Sequence, residues 1–159
     1  MLGTGPDEEG LRSLATDLGC ASAIEWPGWV SDVGGWLSRG IALVMSSAGE
    51  GLCTSVLDAA MLGRTSIVTD AGGLPEAVVS GETGWVVAKG NAQELAQAIQ
   101  QVARNPSEAI RRGNAARGRA VAGFSADAMV HRTWEAYAEV GAAFSSGARS
   151  SVGASPLSR

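Results

Sequence analysis

The chain has 159 residues, of which 45% are apolar and 18% charged. At roughly 100 to 200 residues per domain, this fits one domain and excludes most complete two-domain enzymes. A net charge of −4 argues against a nucleic-acid partner, and no apolar run approaches the ~18 residues of a membrane span, so the composition predicts a soluble globular protein.

Leu2, Gly3, Thr4, Gly5 and Pro6 read as a strand end and a tight turn, followed by a helix over 7–18 with acidic residues in its first turn and Gly19 after it. A whole buried strand is expected before Leu2, so the sequence reads as beginning in mid-fold. A short strand over 24–26 follows, then Pro27 and Gly28, then Ser31 or Asp32 as N-cap of a helix ending near Arg39. The continuous apolar run 41–45 suits a strand covered on both faces.

The pattern then predicts a helix over 51–62, a strand over 66–68, a helical turn over 75–79 and a strand over 85–87 behind the turn 81–84. Alternation of strand and helix implies a parallel sheet. Beyond it the chain is helical. Asn91 with Glu94 three positions on resembles a capping box, Pro106 opens another helix, and Ser125 caps a last one over 126–144. On that helix Val130, Trp134, Tyr137 and Gly141 fall on one stripe. The segment 145–159 has no period and is expected to be a disordered tail. The organisation is therefore one domain over 1–144 and a tail.

Cys20 and Cys53 lack any Cys-x-x-Cys or His pairing, which predicts reduced thiols in a cytoplasmic protein and no metal site. Gly3-Thr4-Gly5 is read as a turn, not a dinucleotide fingerprint, because Glu8 stands where the third glycine belongs and would repel a pyrophosphate. The segment Gly49-Glu50-Gly51-Leu52-Cys53-Thr54 is more informative. It places a carboxylate between two glycines at the carboxyl end of a strand, where open parallel sheets bind ligands, and the amides of residues 52–54 would favour an anion such as a diphosphate. Asp58 follows eight positions after Glu50. From spacing alone, both carboxylates also read as a turn residue and a solvated helix position. A second loop, Asp70-Ala71-Gly72-Gly73-Leu74-Pro75-Glu76, should open on the same sheet edge.

Taken in order, these pieces resemble the retaining glycosyltransferases of GT-B fold (group 1, sucrose-synthase-like), specifically their donor-binding C-terminal domain. The resemblance covers roughly residues 2–137. It rests on Gly3-Thr4-Gly5-Pro6, on Ile24 through Trp29-Val30-Ser31-Asp32, on Ser47-Ala48-Gly49-Glu50-Gly51, on Asp58 at the second acidic position of an E-x7-E motif, on Asp70 to Glu76, on Gly81 to Val87, and on Asn91 to Ile99. It implies an α/β fold with a Rossmann-like parallel sheet flanked by helices and a helical C-terminus. It also implies that a hexose moves with retention from a nucleoside-diphosphate sugar, used as substrate without a cofactor or metal.

By the same resemblance Glu50 contacts the donor sugar as the catalytic carboxylate, and Asp58, one methylene shorter than the family's glutamate, holds the ribose hydroxyls. Val30 and Asp32 lie against the base, and Gly51, Leu52 and Cys53 face the diphosphate. Gly72, Gly73 and Glu76 close the pocket near the sugar.

The family also neutralises the diphosphate with an Arg and a Lys in a segment that would precede Met1. Lys89, the only lysine, and the eleven arginines occupy no equivalent position. An N-terminal acceptor-binding domain, or a separate chain that supplies it, is the implied partner. Two alternatives remain open: a non-catalytic nucleotide-binding or interaction module, and a sugar-nucleotide epimerase. His131 reads as a surface or packing residue. Arg111, Arg112, Arg117 and Arg119 read as a solvated helix face, with anionic lipid at the membrane periphery as the alternative. Without its leading strand, the sheet should expose an unpaired position, and the last helix should expose apolar surface.

Overall fold

Strand β2 (Thr65–Thr69) is buried at every residue and occupies the middle of a three-stranded parallel sheet, between β1 (Ala42–Met45) and β3 (Gly84–Val87). The computed structural model describes residues 1–150, and side chains as far as residue 144. Around the sheet stand α1 (Glu8–Asp17), α2 (Val33–Arg39), α3 (Thr54–Met61), α4 (Leu74–Ala77), α5 (Ala92–Arg104), α6 (Pro106–Gly123) and α7 (Ala126–Ser150).

Three polar residues of β2 are buried because their position is central, and hydrogen bonds make this tolerable: the Thr65 hydroxyl donates to the Thr83 carbonyl at 2.9 Å, and Thr69 donates to the Ser47 carbonyl at 2.6 Å. The more apolar run 41–45 does not become a strand covered on both faces. β1 pairs with β2 alone, and Ile41 and Val44 are each 41% exposed. Neighbours decide a strand's burial, and β1 has a neighbour on one side only among the described residues.

Expected helices form with small shifts. The stretch 51–53 is a loop, and α3 starts at Thr54. The helical turn expected over 75–79 is α4, from Leu74 to Ala77. No strand forms over 24–26. A single 3-10 turn, Ala21–Ala23, precedes an extended stretch that meets the chain start through one parallel bridge, Leu2 with Gly28, where the Gly3 N–H donates to the Gly28 carbonyl at 2.8 Å. Pro27 lacks an N–H to extend that ladder. Helix α7 runs to Ser150, past the expected end near Phe144, so the tail does not begin at residue 145; the remainder, 151–159, lies outside the described residues.

The core has two main clusters on opposite faces of the sheet. One joins Val56, Val68, Leu74 and Val78; the other joins Ile67, Trp85, Val87, Ala98, Val102 and Ala109. Two side-chain caps order the helical half. Asn91 Oδ1 accepts from the Glu94 N–H at 3.1 Å, and Asn105 Oδ1 accepts from the Glu108 N–H at 3.2 Å, directly ahead of Pro106. Helix α6 packs on α3 and passes so close to the turn after it that a Cβ on Gly113 would lie 2.1 Å from the Gly63 carbonyl oxygen.

A charged clamp ties α6 to β3. The Arg112 guanidinium stacks 3.9 Å from the Trp85 ring centroid and donates to the Gly84 carbonyl at 2.8 Å, while Trp85 Nε1 donates to Gln101. Glu108 receives both Arg111 and Arg112 at 2.7 Å. Arg119 reaches the Glu76 carbonyl at 3.0 Å. With Arg111 also donating to the Gly81 carbonyl at 3.3 Å, three of the four arginines read as a solvated face are tethers to neighbouring backbone.

Hydrogen bonds from Arg111 and Arg112 pull the Glu108 carboxyl down to about 2 from its ordinary 4.5. A lowered carboxyl pKa stabilises the fold fully above the ordinary value, and that contribution is lost as pH falls through the folded value. Wild type is therefore expected to resist urea better than Glu108→Gln above pH 4.5, with the gap between midpoints closing as pH falls from 4.5 toward 2. Denaturation curves of both chains over that range check it.

Candidate functional site

The parallel register that pairs Met45 with Val68 brings the loops following β1 and β2 to the same sheet edge. The first loop carries Glu50 between Gly49 and Gly51; the second carries Gly72 and Gly73. They meet backbone to backbone. The Gly73 N–H donates to the Glu50 carbonyl at 3.1 Å. A Cβ on Gly72, whose φ is +54°, would lie 1.8 Å from that carbonyl oxygen, and one on Gly73 would lie 2.7 Å from the Gly51 carbonyl oxygen. Only glycine permits this approach.

The Glu50 side chain is half-buried, and its Oε2 accepts from the Ser47 hydroxyl at 3.1 Å. Among the described residues, Oε1 has no hydrogen-bond partner. Cys53 is buried and serves as N-cap of α3 without a side-chain bond. The N–H groups of Leu52, Cys53 and Thr54 find no acceptor among the described residues, so the start of α3 presents unsatisfied donors beside the Glu50 loop. Such donors favour an anion, and the free carboxylate oxygen favours hydroxyl donors.

The other expected site residues lie on α3, on α4 and at the start of α2. Asp58 is exposed on α3. Glu76 is exposed in the first turn of α4 and lines an open hollow of about 650 Å³ together with Leu52, Leu57, Phe124, Arg132 and Tyr137. Val30 is half-buried in the loop before α2. Asp32 caps α2, its Oδ1 accepting from the Gly35 N–H at 2.8 Å, and α2 packs against α3. No hydrogen bond among the described residues joins Val30 or Asp32 to the Glu50 loop, so the structure does not bring these two together with the junction.

Residues outside the expected set contribute as well. The Thr69 hydroxyl, on the central strand, holds the Ser47 carbonyl. Ser47 belonged to the motif, but nothing in the spacing marked its hydroxyl as a partner of Glu50; Thr69 carried no signal. Asp70 turns away from the junction to accept the Lys89 N–H at 2.8 Å. His131 sits on the exposed side of α7 beside Glu135, at 3.3 Å. Among the described residues no group of His, Cys, Asp and Glu stands close enough to hold a metal ion, and no helix is long and apolar enough to cross a membrane.

The family model "Glycosyl transferases group 1" matches residues 1–105. The chain belongs to this family. It is 31% identical over 129 residues to the lipopolysaccharide core biosynthesis glycosyltransferase LpsE of Rhizobium meliloti, covering 81% of this chain and 38% of that protein. It is also 31% identical over 110 residues to the D-inositol 3-phosphate glycosyltransferase of Streptomyces avermitilis, covering 68% of this chain and 24% of that protein. The chain thus spans well under half the length of these relatives.

Among solved structures, HepE of Anabaena in complex with UDP superposes with a TM-score of 0.78 at 19% identity, over 87% of this chain and 40% of HepE. The C-terminal domain of the group 1 transferase LpcC from Francisella tularensis superposes with a TM-score of 0.70 at 20% identity, over 77% of this chain and 66% of that domain. The α/β fold of this chain, a parallel sheet flanked by helices, is that of the GT-B proteins.

The glycine contact in this chain makes a specific demand. Gly72→Ala places a methyl group against the Glu50 carbonyl at a φ unfavourable to alanine, so the two loops must separate. A loss of about 1–3 kcal/mol is expected, read as a lowered urea midpoint relative to Gly49→Ala, whose added Cβ meets nothing within 4 Å.

Proposed function

We propose that this chain is the C-terminal, donor-binding half of a retaining hexosyltransferase that takes a nucleoside-diphosphate sugar. The observation that carries the reading is the junction itself: a carboxylate with one oxygen engaged and one free, beside a helix start whose amides lack acceptors. Those two features match the two ends of one ligand. The amides of Leu52 and Cys53, with Gly51, meet the diphosphate, and Glu50 meets the hexose hydroxyls beyond it. Asp58 accepts from the ribose hydroxyls, Val30 and Asp32 flank the base, and Gly72, Gly73 and Glu76 border the sugar.

Family membership and the UDP held by HepE, a protein of the same fold, support a nucleotide-sugar donor. In this reading Glu50 orients the hexose so that its anomeric carbon faces the acceptor. As the bond to the diphosphate breaks, negative charge grows on the leaving group, where the α3 amides supply fixed dipoles. An acceptor-binding domain, in a preceding segment or a separate chain, completes the cleft, and the Arg and Lys that the family sets against the leaving diphosphate belong to the donor half itself, outside the residues of this chain. Coverage of 24–38% of the curated relatives supports that division of labour.

Calorimetric titration of the chain with UDP, GDP and ADP tests the reading. One nucleotide is expected to bind, and Asp58→Ala is expected to weaken it about tenfold, the loss of a charge-assisted hydrogen bond of about 1.4 kcal/mol. Absence of binding by all three, from a sample shown to be folded, would refute a donor site on this chain.

A further inference from the structure

Glu50 sits on a loop that has no intrinsic means of fixing a side chain. It is flanked by Gly49 and Gly51, at both of which an added Cβ would meet nothing within 4 Å, and Ala48 before them is exposed. A carboxylate on such a loop samples several rotamers, at an entropic cost whenever a ligand needs only one. Two hydroxyls outside the expected set remove that freedom. We propose that Ser47 and Thr69 are positioning residues that hold the Glu50 carboxylate in one orientation through a relay from the central strand.

The relay has two links, each a donated hydrogen bond. Thr69 is 3% exposed in β2, the most enclosed strand, and its hydroxyl donates to the Ser47 carbonyl at 2.6 Å, anchoring the root of the loop. The Ser47 hydroxyl then donates to Glu50 Oε2 at 3.1 Å. Oε1 is left to accept from a ligand. From the other side, the Gly73 N–H holds the Glu50 carbonyl, so that main chain and side chain are restrained independently. Neither hydroxyl touches the ligand in this arrangement. Their effect passes through Glu50 and is confined to the part of the ligand that Glu50 meets.

The binding arm of the test rests on the donor reading above; the conformational arm does not. Three-bond couplings at the labelled Glu50 side chain are to be measured in wild type and in Ser47→Ala, Ser47→Thr, Thr69→Val and Thr69→Ser, together with calorimetric affinities for UDP and UDP-glucose. Wild type and the two variants that keep a hydroxyl are expected to hold one Glu50 rotamer. Ser47→Ala and Thr69→Val are expected to average over rotamers and to lose about three- to tenfold of the advantage of UDP-glucose over UDP, with affinity for UDP itself unchanged.

A role limited to stability would move both nucleotides together and leave the couplings intact. Unchanged couplings in Ser47→Ala, or an unchanged advantage for UDP-glucose, would overturn the proposal. Should wild type bind neither nucleotide while the couplings behave as expected, the donor reading falls and the positioning of Glu50 stands.

Discussion

Two loops pressed together where the second has no room for a side chain are the constraint on which the rest of the site depends. Gly72 and Gly73 bring the second loop against the carbonyls of Glu50 and Gly51 at distances that a methyl group cannot share. The contact converts two flexible segments into one edge. It also explains why a glycine pair occurs in a stretch that needs only one positive φ, at Gly72: the second glycine serves closeness and not torsion.

The sheet beneath supplies the rigid base. Its middle strand is the least apolar by composition, yet the most enclosed, and its threonines spend their hydroxyls on neighbouring loops instead of solvent. Thr65 binds the turn before β3, and Thr69 binds the loop after β1. The central strand therefore organises loops on both sides of itself. Arginines on α6 act similarly on the helical side, fastening the backbone of β3 and of α4 to a helix that also packs closely on α3.

Two surfaces of this chain remain uncovered among the described residues. The outer edge of β1 has no partner strand, and the stripe Val130, Trp134 and Tyr137 on α7 is half or more exposed, with both aromatics at 70%. Exposed apolar area of this kind is costly in water unless another surface covers it. The chain spans 24–38% of the length of the two curated relatives.

Local patterning made most elements legible: periodic apolar spacing, glycine stops, and the Asn91 and Asn105 positions whose side chains cap helices depend on residues a few positions apart. The two loops of the site were legible as well, because their glycines and carboxylates fall at strand ends. Legibility failed wherever a distant segment decides the outcome. The run 41–45 is apolar enough for an interior strand and became an edge, while Thr65–Thr69 became the interior, because pairing order depends on which strands meet. Residues 24–26 read as a short strand, but the one bridge nearby joins Leu2 to Gly28 and no described strand pairs with 24–26. Ser47 and Thr69 stand 22 positions apart, and nothing in that spacing shows that one hydroxyl holds the other residue's carbonyl. Short-range propensity thus settled the identity of the elements and the placement of Glu50, Gly72 and Gly73 at loop tips. Strand order, the contact between the loops and the orientation of the Glu50 carboxylate came only from the folded chain, since each depends on atoms brought together by β-sheet register.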